Sequence, residues 1–283
     1  MAKKVTTTSA RKTSAAKRTR RPAKSEYTSR VLNCIPSTNT DDDWSFDTAL
    51  AAGLAAAAAP LPASKDLRAS WWKIGDQGNT GSCVGWAATD SVCRWHFVKS
   101  NRITTTQLLS VRFTWMAAKE TDIFTSQPTT FIESDGTSLK AALDIARKFG
   151  SVSDADLPFA SGRLYQGKAK TFYAIASRLK ISNYFNLGRN PLEWRRWIAE
   201  NGPILTRLDC DDNWMNASSS NGGKLDTYDA ASAQGGHAVA IVGYTPTTFI
   251  IRNSWGTGWG DKGFAHASLD YAKDAFTEAY GVT

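Results

Sequence analysis

The amino-acid sequence predicts an α+β fold, in which a mostly helical first half is followed by an antiparallel β second half. Residues 82–97 and 138–149 have the apolar spacing of helices, whereas short runs rich in Val, Ile, Tyr and Phe follow residue 237. With 283 residues, 42% of them hydrophobic, the chain is long enough for one large domain or for two lobes with a shared core. We expect a functional site where the helical and β parts meet.

Three helices are predicted. The first has apolar residues at intervals of four, four and three positions, namely Val84, Ala88, Val92 and Trp95. These residues give a helix over residues 82–97 one apolar face. The second helix ends before Gly150, a common stop signal, and the third, over residues 191–200, has Pro191 in its first turn.

Three strands are predicted in the C-terminal part, over residues 238–244, 248–252 and 263–267. The first two are separated by Thr245-Pro246-Thr247, which is typical of a turn. We therefore expect a strand, a turn and an antiparallel partner strand.

Composition divides the chain into three parts. Residues 1–30 contain ten Lys or Arg and one acid, a net charge of +9, so that the total of +8 leaves −1 for the rest. An arm this basic and this poor in large apolar residues is expected to be disordered. Residues 31–64 lack sustained periodicity and are interpreted as a linker or short pro-segment, and residues 65–283 as the packed domain.

Three roles are open for the basic arm. It would contact nucleic acid or another anionic surface, act as a solubilising extension, or serve as a transit peptide, because it is rich in Arg and Ser. The chain has no run of about eighteen apolar residues, and its N-terminus lacks the apolar segment of a secretory signal. We therefore expect a cytoplasmic monomer without a transmembrane segment, with export by another route or organelle targeting left open.

Cys83 is the candidate nucleophile. It lies at the start of the first predicted helix, where backbone N–H groups and the positive end of the helix dipole favour a thiolate. Gly78 and Gly81, just before it, allow a tight turn and the close approach of a substrate chain. Attack on a carbonyl also needs a proton donor and a group that stabilises the oxyanion, for which His237 and Gln77 are the candidates.

His237 lies at the start of the first predicted strand. Asn253 lies 16 residues later, across the predicted turn on the partner strand. Asn253 is therefore placed to accept a hydrogen bond from the imidazole and to fix its tautomer.

These residues resemble the active-site blocks of the papain family of cysteine peptidases, over about residues 66–267. Four blocks occur in the family's order: Asp66-Leu67-Arg68, Gln77 to Cys83, Gly235-Gly236-His237 and Asn253 to Gly260. One Gly-Ser-Cys would be weak evidence, whereas four ordered blocks are strong. The resemblance implies a papain-like two-lobed fold, with a helical lobe over about 75–165 and a β lobe over about 166–283.

The resemblance also implies a role for each matching residue. Cys83 would attack the carbonyl, with His237 as its general base and acid. Asn253 would orient His237, and Trp255 would cover the hydrogen bond between them. The side chain of Gln77 would join the Cys83 N–H in the oxyanion hole.

Two further positions concern substrate binding. Gly136 resembles the family's glycine that lets the substrate backbone pair with the enzyme. Arg207 stands where the family places a small apolar residue, in the wall of the pocket for the second substrate residue before the cut. Arg207 either points into that pocket and favours an acidic side chain, or turns to solvent or pairs with Asp209 and leaves an apolar pocket.

The sequence departs from the family at the usual disulfide. Thr80 and Glu133 stand where the family commonly has the two bridged cysteines, and Val84 replaces an aromatic residue after the nucleophile. Loss of the bridge fits a chain that folds in a reducing compartment.

The remaining cysteines and histidines are not expected to take part in catalysis. Cys93 and Cys210 are expected in the core, Cys34 is expected to be an exposed free thiol or a chance occupant, and His96 and His266 are expected to be structural. No Cys/His grouping has zinc-site spacing, so neither a metal nor a cofactor is expected.

The predicted function is that of a cysteine endopeptidase that hydrolyses a protein or peptide substrate through a thioester acyl-enzyme. Two alternatives remain open. Transglutaminases share the Cys-then-His order but normally use Asp as the third member. An inactive papain-like domain that delivers the basic arm to nucleic acid would have no chemical reason to retain Cys83, Gln77, His237 and Asn253.

Overall fold

A computed structural model describes residues 26–55, 60–122, 127–160, 162–218 and 221–283. Its strands are β1 (Lys65–Asp66), β2 (Tyr184–Asn186), β3 (Ile204–Cys210), β4 (Lys224–Leu225), β5 (Gly235–Tyr244), β6 (Thr248–Arg252), β7 (Phe264–Ser268) and β8 (Phe276–Val282). Within these ranges they form one sheet in the order β2-β8-β3-β5-β6-β7-β4, and β1 pairs with β5. The neighbours are antiparallel except β4 and β7, which are parallel.

The helices cover both faces of this sheet. They are α1 (Phe46–Ala51), α2 (Cys83–Gly85), α3 (Arg94–Lys99), α4 (Val111–Thr121), α5 (Leu139–Lys148), α6 (Ala169–Ala176), α7 (Pro191–Glu200), α8 (Asp212–Met215) and α9 (Leu269–Ala275). A π-helical stretch, Trp86–Cys93, joins α2 to α3 without a break. We call the whole of residues 83–99 the central helix.

Alternation along β5 separates two cores. Ala238, Ala240 and Val242 lie in the core that contains the apolar face of the central helix. Val239 and Ile241 lie in the core on the other side, which is rich in tryptophan. Successive strand residues point to opposite faces, so one strand serves both cores. The result is the α+β architecture that the sequence predicts.

The predicted helices and strands are confirmed, with ends that move by a few residues. The first helix begins at Cys83 and extends to Lys99, and its four spaced apolar residues are all buried. The π-helical hydrogen bonding of Trp86–Cys93 was not expected, because π-turns have no distinct apolar pattern.

The interpretation of residues 31–64 as a segment without periodic structure needs a correction. This segment contains α1, whose N-terminus is fixed by a capping box between Ser45 and Thr48. Phe46 and Ala49 of α1 are buried in the tryptophan-rich core. A six-residue helix is too short to show periodicity, and tertiary packing stabilises it.

Most of the predicted basic arm, residues 1–25, lies outside the described residues. Residues 26–30 are described, and Glu26–Ser29 form a turn of 3-10 helix. The side chain of Arg30 bonds Asp76, so the end of the predicted arm is part of the folded structure. In the described ranges, no helix has the length and apolar character to cross a bilayer.

Candidate active site

The nucleophile candidate, Cys83, is the first residue of the central helix and is fully buried. The approach to the helix is fixed by Gly81, whose N–H donates to the Glu133 carbonyl at 2.8 Å. A Cβ on Gly81 would come within 2.6 Å of the Ser134 oxygen, so glycine is required for this close backbone packing. The sequence analysis assigned Gly81 to substrate binding, and the structure places it against the backbone of residues 133–135.

His237 and Asn253 meet across β5 and β6. His237 is in β5, Asn253 directly follows β6, and the His237 Nε2 to Asn253 Oδ1 distance is 2.8 Å. The other ring nitrogen, Nδ1, has no conventional hydrogen-bond partner among the described residues. His237 nevertheless acts on the Cys83 thiol, because its charge lowers the pKa of that thiol. The structure therefore brings the predicted Cys, His and Asn together.

The alternation of β6 explains why Asn253 lies beside His237. Phe249 and Ile251 point into the tryptophan-rich core, and Asn253 continues the same face. Arg252 points the opposite way, toward the central helix, where it contacts Asp90 at 2.7 Å and the Ser91 hydroxyl at 2.8 Å. This buried ion pair fastens the segment that carries Asn253 to the helix that carries Cys83.

Trp255 covers the imidazole, as the family resemblance implies. Its ring lies 4.9 Å from that of His237 and is itself buried. Trp214 packs 5.8 Å from His237 on another side, and Trp259 lies 4.6 Å from Trp214. These indoles keep bulk water away from the His237–Asn253 hydrogen bond, which strengthens it.

Gln77 is held by both parts of the site. Its backbone N–H donates to the Ser254 carbonyl at 2.9 Å, and its Oε1 accepts from the Ser254 hydroxyl at 2.9 Å. Its Nε2 group donates one of its two hydrogens to the Thr80 carbonyl oxygen, at an N···O distance of 3.0 Å. The amide orientation is thus fixed, and the second Nε2 hydrogen remains available to an oxyanion.

The pKa of Cys83 is held well below its usual value. A hydrogen bond from the Cys34 thiol is the largest cause of this lowering, and the His237 side chain and the Ala238 backbone act in the same direction. Together they outweigh burial, which raises the pKa of a thiol. Cys83 therefore has the character of a thiolate, the form that attacks a carbonyl.

The expectation that Cys34 is an exposed thiol is wrong. Cys34 is 2% exposed, its Sγ lies 3.9 Å from the Ile35 carbonyl oxygen, and the Cys83 thiol raises its pKa. Its N–H donates at 3.0 Å to the carbonyl of Gly236, the residue before His237. No pattern in the sequence indicates that Cys34 lies near Cys83, because the two positions are 49 residues apart and Cys34 lies in a stretch without periodicity.

Cys34 belongs to a stretch of chain, residues 27–37, that crosses the site; we call it the cleft segment. At one end Tyr27 stacks on Trp255 at 5.7 Å, and Arg30 bonds Asp76 at 2.6 Å. At the other end the N–H of Ser37 donates to Glu278 at 3.0 Å. Both ends of the segment are therefore attached to the walls of the site.

The two substrate-binding predictions also fall under the cleft segment. A Cβ on Gly136 would collide with the backbone carbonyl oxygen of Asn33, so the cleft segment occupies the space above this glycine. Arg207 Nε donates to the Cys34 carbonyl at 2.9 Å, and its Nη2 pairs with Asp209 at 3.0 Å. Arg207 therefore faces the site and also forms the pair with Asp209 that the second alternative anticipated.

Sequence reasoning missed two groups that organise the site, Arg252 with Asp90 and the hydroxyl of Ser254. A signal for Arg252 was present, since a lone charge at the end of the apolar run Phe249-Ile250-Ile251 requires a buried partner. Ser254 carried no separate signal. In the part of the chain that the structure describes, no group of three His, Cys, Asp or Glu side chains has the geometry of a metal site.

Comparison with known proteins agrees with this geometry. A family model described as papain family cysteine protease matches residues 61–278. Cathepsin J of Mus musculus is 26% identical over 223 residues, which cover 75% of this chain and 61% of that protein. Papain of Carica papaya is 64% identical over 28 residues, which cover 10% of this chain and 8% of papain. The match thus covers less than two thirds of the length of either relative.

Solved structures show the same fold. Xylellain, a cysteine protease from Xylella fastidiosa, superposes with a TM-score of 0.70 at 19% identity, covering 93% of this chain and 98% of that one. Digestive procathepsin L2 proteinase from the Tenebrio molitor larval midgut gives 0.68 at 19% identity, covering 90% and 78%. The fold is therefore that of the papain-like cysteine proteases. With the family match over most of its length, the chain belongs to the papain family of cysteine proteases.

Proposed function

We propose that this chain is a cysteine endopeptidase that hydrolyses peptide bonds through a thioester acyl-enzyme. The observation that supports this proposal is the 2.8 Å contact between the Asn253 amide oxygen and His237 Nε2, together with the lowering of the Cys83 pKa by His237. A thiol, a base that contacts it and a group that orients the base are the requirements of nucleophilic acyl transfer.

In the first step the Cys83 sulfur attacks the carbonyl carbon of the scissile peptide bond. Nε2–H of His237 donates to Asn253, so Nδ1 is the nitrogen that faces Cys83 and holds the transferred proton. His237 then gives that proton to the leaving amine, and the C–N bond breaks. The product is a thioester on Cys83.

Negative charge develops on the carbonyl oxygen during this attack. The second Nε2 hydrogen of Gln77 and the backbone N–H of Cys83 are the donors we assign to it. Ser254 supports the first donor by holding Gln77 Oε1 at 2.9 Å. A donor fixed in advance costs no reorganisation when the charge appears, which is how such donors accelerate the reaction.

Water completes the reaction. His237 removes a proton from water, the resulting hydroxide attacks the thioester, and the Cys83 thiolate leaves. An acyltransferase would use an amine in place of water. The Asn253 amide, where transglutaminases normally have a carboxylate, supports hydrolysis.

For specificity, we propose that Arg207 does not create a preference for acidic substrate residues. Its charge is already balanced by Asp209 at 3.0 Å, and its Nη1 donates to the Thr277 hydroxyl at 2.7 Å. A peptide library varied at the second residue before the cut should show no preference for Asp or Glu. A preference of that kind that disappears in Arg207→Ala would contradict the proposal.

The function is tested with an epoxide or vinyl-sulfone probe for active-site thiols, applied to the full chain under reducing conditions. We expect one label, mapped by peptide mass to Cys83, and parallel loss of peptidase activity. A primary amine added during turnover should leave the hydrolysis products unchanged. Labelling of another cysteine, or products joined to the amine, would contradict the assignment.

A further inference from the structure

The cleft segment makes its central contact at the reactive sulfur. Cys34 and Cys83 are both buried in the same apolar core, and each thiol shifts the pKa of the other. The backbone on each side of Cys34 is fixed, because its N–H donates to Gly236 and the N–H of Ile35 donates to the Thr137 carbonyl at 3.3 Å. These backbone hydrogen bonds therefore fix the position of Cys34 in the site that contains Cys83.

We propose that Cys34 and Cys83 form a reversible disulfide that fastens the cleft segment over the active site under oxidising conditions. This inference deepens the proposed function, because it takes Cys83 to be the nucleophile. The disulfide would store the protein in an inactive form, and reduction would release both the segment and the nucleophile.

The protonation states of the two thiols suit this reaction. Burial, together with the hydrogen bond to Cys83, raises the pKa of Cys34 well above its usual value. The pKa of Cys83 moves the opposite way, so Cys83 is the thiol of the pair that ionises first. A thiolate with a second thiol beside it is the arrangement found at redox-responsive cysteines.

Cys34 is not positioned to be cut as a substrate. Its carbonyl oxygen accepts from Arg207 Nε at 2.9 Å, on β3. The oxyanion donor Gln77 makes its Nε2 contact with Thr80 instead. The carbonyl oxygen of Cys34 is therefore bonded to β3 and not to the oxyanion donors, and the group that the segment offers to Cys83 is the sulfur.

Cys210 is another buried thiol of the core. Burial raises its pKa, and the Cys83 charge raises it further. Cys210 is the last residue of β3, is paired to Gly235 and is fully buried, so the sheet holds it in place. The proposed bridge therefore uses Cys34 and not Cys210.

The oxidant we assign is a peroxide. When the segment opens, the Cys83 thiolate attacks one oxygen of hydrogen peroxide, the O–O bond breaks, and Cys83 sulfenic acid and water form. When the segment closes, the Cys34 sulfur attacks the Cys83 sulfur, the S–O bond breaks, and a second water leaves. Two thiols and one peroxide thus give one disulfide and two waters. A dithiol reverses the reaction by two exchange steps and becomes a disulfide itself.

Cys34 would also protect the nucleophile from permanent damage. A sulfenic acid without a nearby thiol is oxidised further to sulfinic and sulfonic acids, which thiols do not reduce. With Cys34 beside it, the sulfenic acid is converted to a disulfide first. Recovery of activity after oxidation is therefore the property that separates this proposal from simple inactivation.

The experiment compares the full-length wild type with Cys34→Ser, which keeps the size and a hydrogen-bond donor, and with Cys93→Ser as a matched control. Each protein is treated with hydrogen peroxide and digested without reduction. We expect a cross-linked peptide pair containing Cys34 and Cys83, two hydrogens lighter than the separate peptides, in the wild type and in Cys93→Ser. A Cys83–Cys210 bridge, or Cys83 sulfinic acid without any bridge, would overturn the proposal.

Activity gives the second readout. We expect peroxide to lower the activity of all three proteins by about tenfold or more, and dithiothreitol to restore most of it in the wild type and in Cys93→Ser alone. Equal recovery in Cys34→Ser would overturn the proposal. The mass of the cross-linked peptides tests the disulfide and does not depend on turnover. Probe labelling of reduced Cys83 tests its role as nucleophile and does not depend on the disulfide. Failure of one hypothesis can therefore be distinguished from failure of the other.

Discussion

Cys83 and Cys93 lie ten residues apart on the same central helix, and both are buried, at 0% and 1% exposure. Burial raises the pKa of Cys93 to about 12. The pKa of Cys83 is lowered instead, because Cys34 and His237 contact it. The same residue type in the same helix is thus inert or reactive according to its neighbours, and burial by itself produces the inert form.

Replacement of each cysteine tests this comparison directly and has the largest expected effect. Cys83→Ala should lower kcat by about 10⁴-fold or more, because the nucleophile is lost. Cys93→Ala should keep activity within about twofold and lose about 1 kcal/mol of stability, since only a buried sulfur is removed. Steady-state kinetics and urea unfolding measure both. Comparable losses of kcat in the two variants, with both folded, would contradict the distinction between the thiols.

The stretch of helix between the two cysteines carries the ion pair to Arg252. Arg252→Met would leave Asp90 with Arg94 as its remaining charged partner, and we expect a loss of about 3 kcal/mol in the free energy of unfolding. Because Asn253 is the next residue, kcat should fall as well. The control is Arg68→Met, whose partly exposed pair with Asp66 should contribute less than about 1 kcal/mol. Equal midpoints of urea unfolding for the two variants would refute the anchoring role.

Removal of the orienting amide of Asn253 should lower kcat less than removal of the Cys83 thiol. Asn253→Ala should lower kcat by about 10- to 100-fold, because His237 keeps its chemistry but loses its fixed orientation. Asn201→Ala, which loses a bond to the Leu54 carbonyl elsewhere in the fold, serves as the control and should change kcat little. A loss as complete as that of Cys83→Ala would mean that Asn253 does more than orient.

The smallest expected effect concerns the end of the helix near Cys93. Burial lowers the pKa of His96 to about 4, so the fold favours the neutral ring. The unfolded chain takes up the proton first, near pH 6.5, and stability is therefore lost as the pH falls from about 6.5 toward 4. His96→Phe should reduce this loss by about 1–2 kcal/mol at pH 4.5, measured by urea unfolding. An unchanged pH dependence would show that other groups cause the acid sensitivity.

The parts of the site that the sequence predicted are those set by local order along the chain. Cys83 at a helix start, and His237 and Asn253 on adjacent strands, follow from short blocks and from alternation in strands. The contact of Cys34 with Cys83 could not be predicted in this way. It depends on tertiary packing of a stretch without periodicity, and a cysteine in such a stretch has no pattern that separates an exposed thiol from a buried one.

The site also shows why a buried charge is easier to detect than its partner. The position of Arg252 at the end of an apolar strand is a signal that can be found in the sequence, but Asp90 lies in a helix 162 residues away, and nothing in the sequence pairs the two. Ser254 is a similar case, since its hydroxyl matters because Gln77 folds next to it. Residues that hold catalytic groups through distant contacts leave little trace in a single sequence.

The position of Asn33 above Gly136 has a kinetic consequence. In the binding mode that the resemblance implies for Gly136, a substrate backbone needs the space that Asn33 fills, and the cleft segment would then act as a tethered competitive inhibitor at a high effective concentration. For such a tethered competitor the apparent KM equals the intrinsic KM divided by the fraction of molecules in which the segment is open. The maximal rate at saturating substrate is unaffected, because substrate then displaces the segment completely. In the reduced protein, KM therefore measures how firmly the segment is held, while kcat measures the chemistry at Cys83.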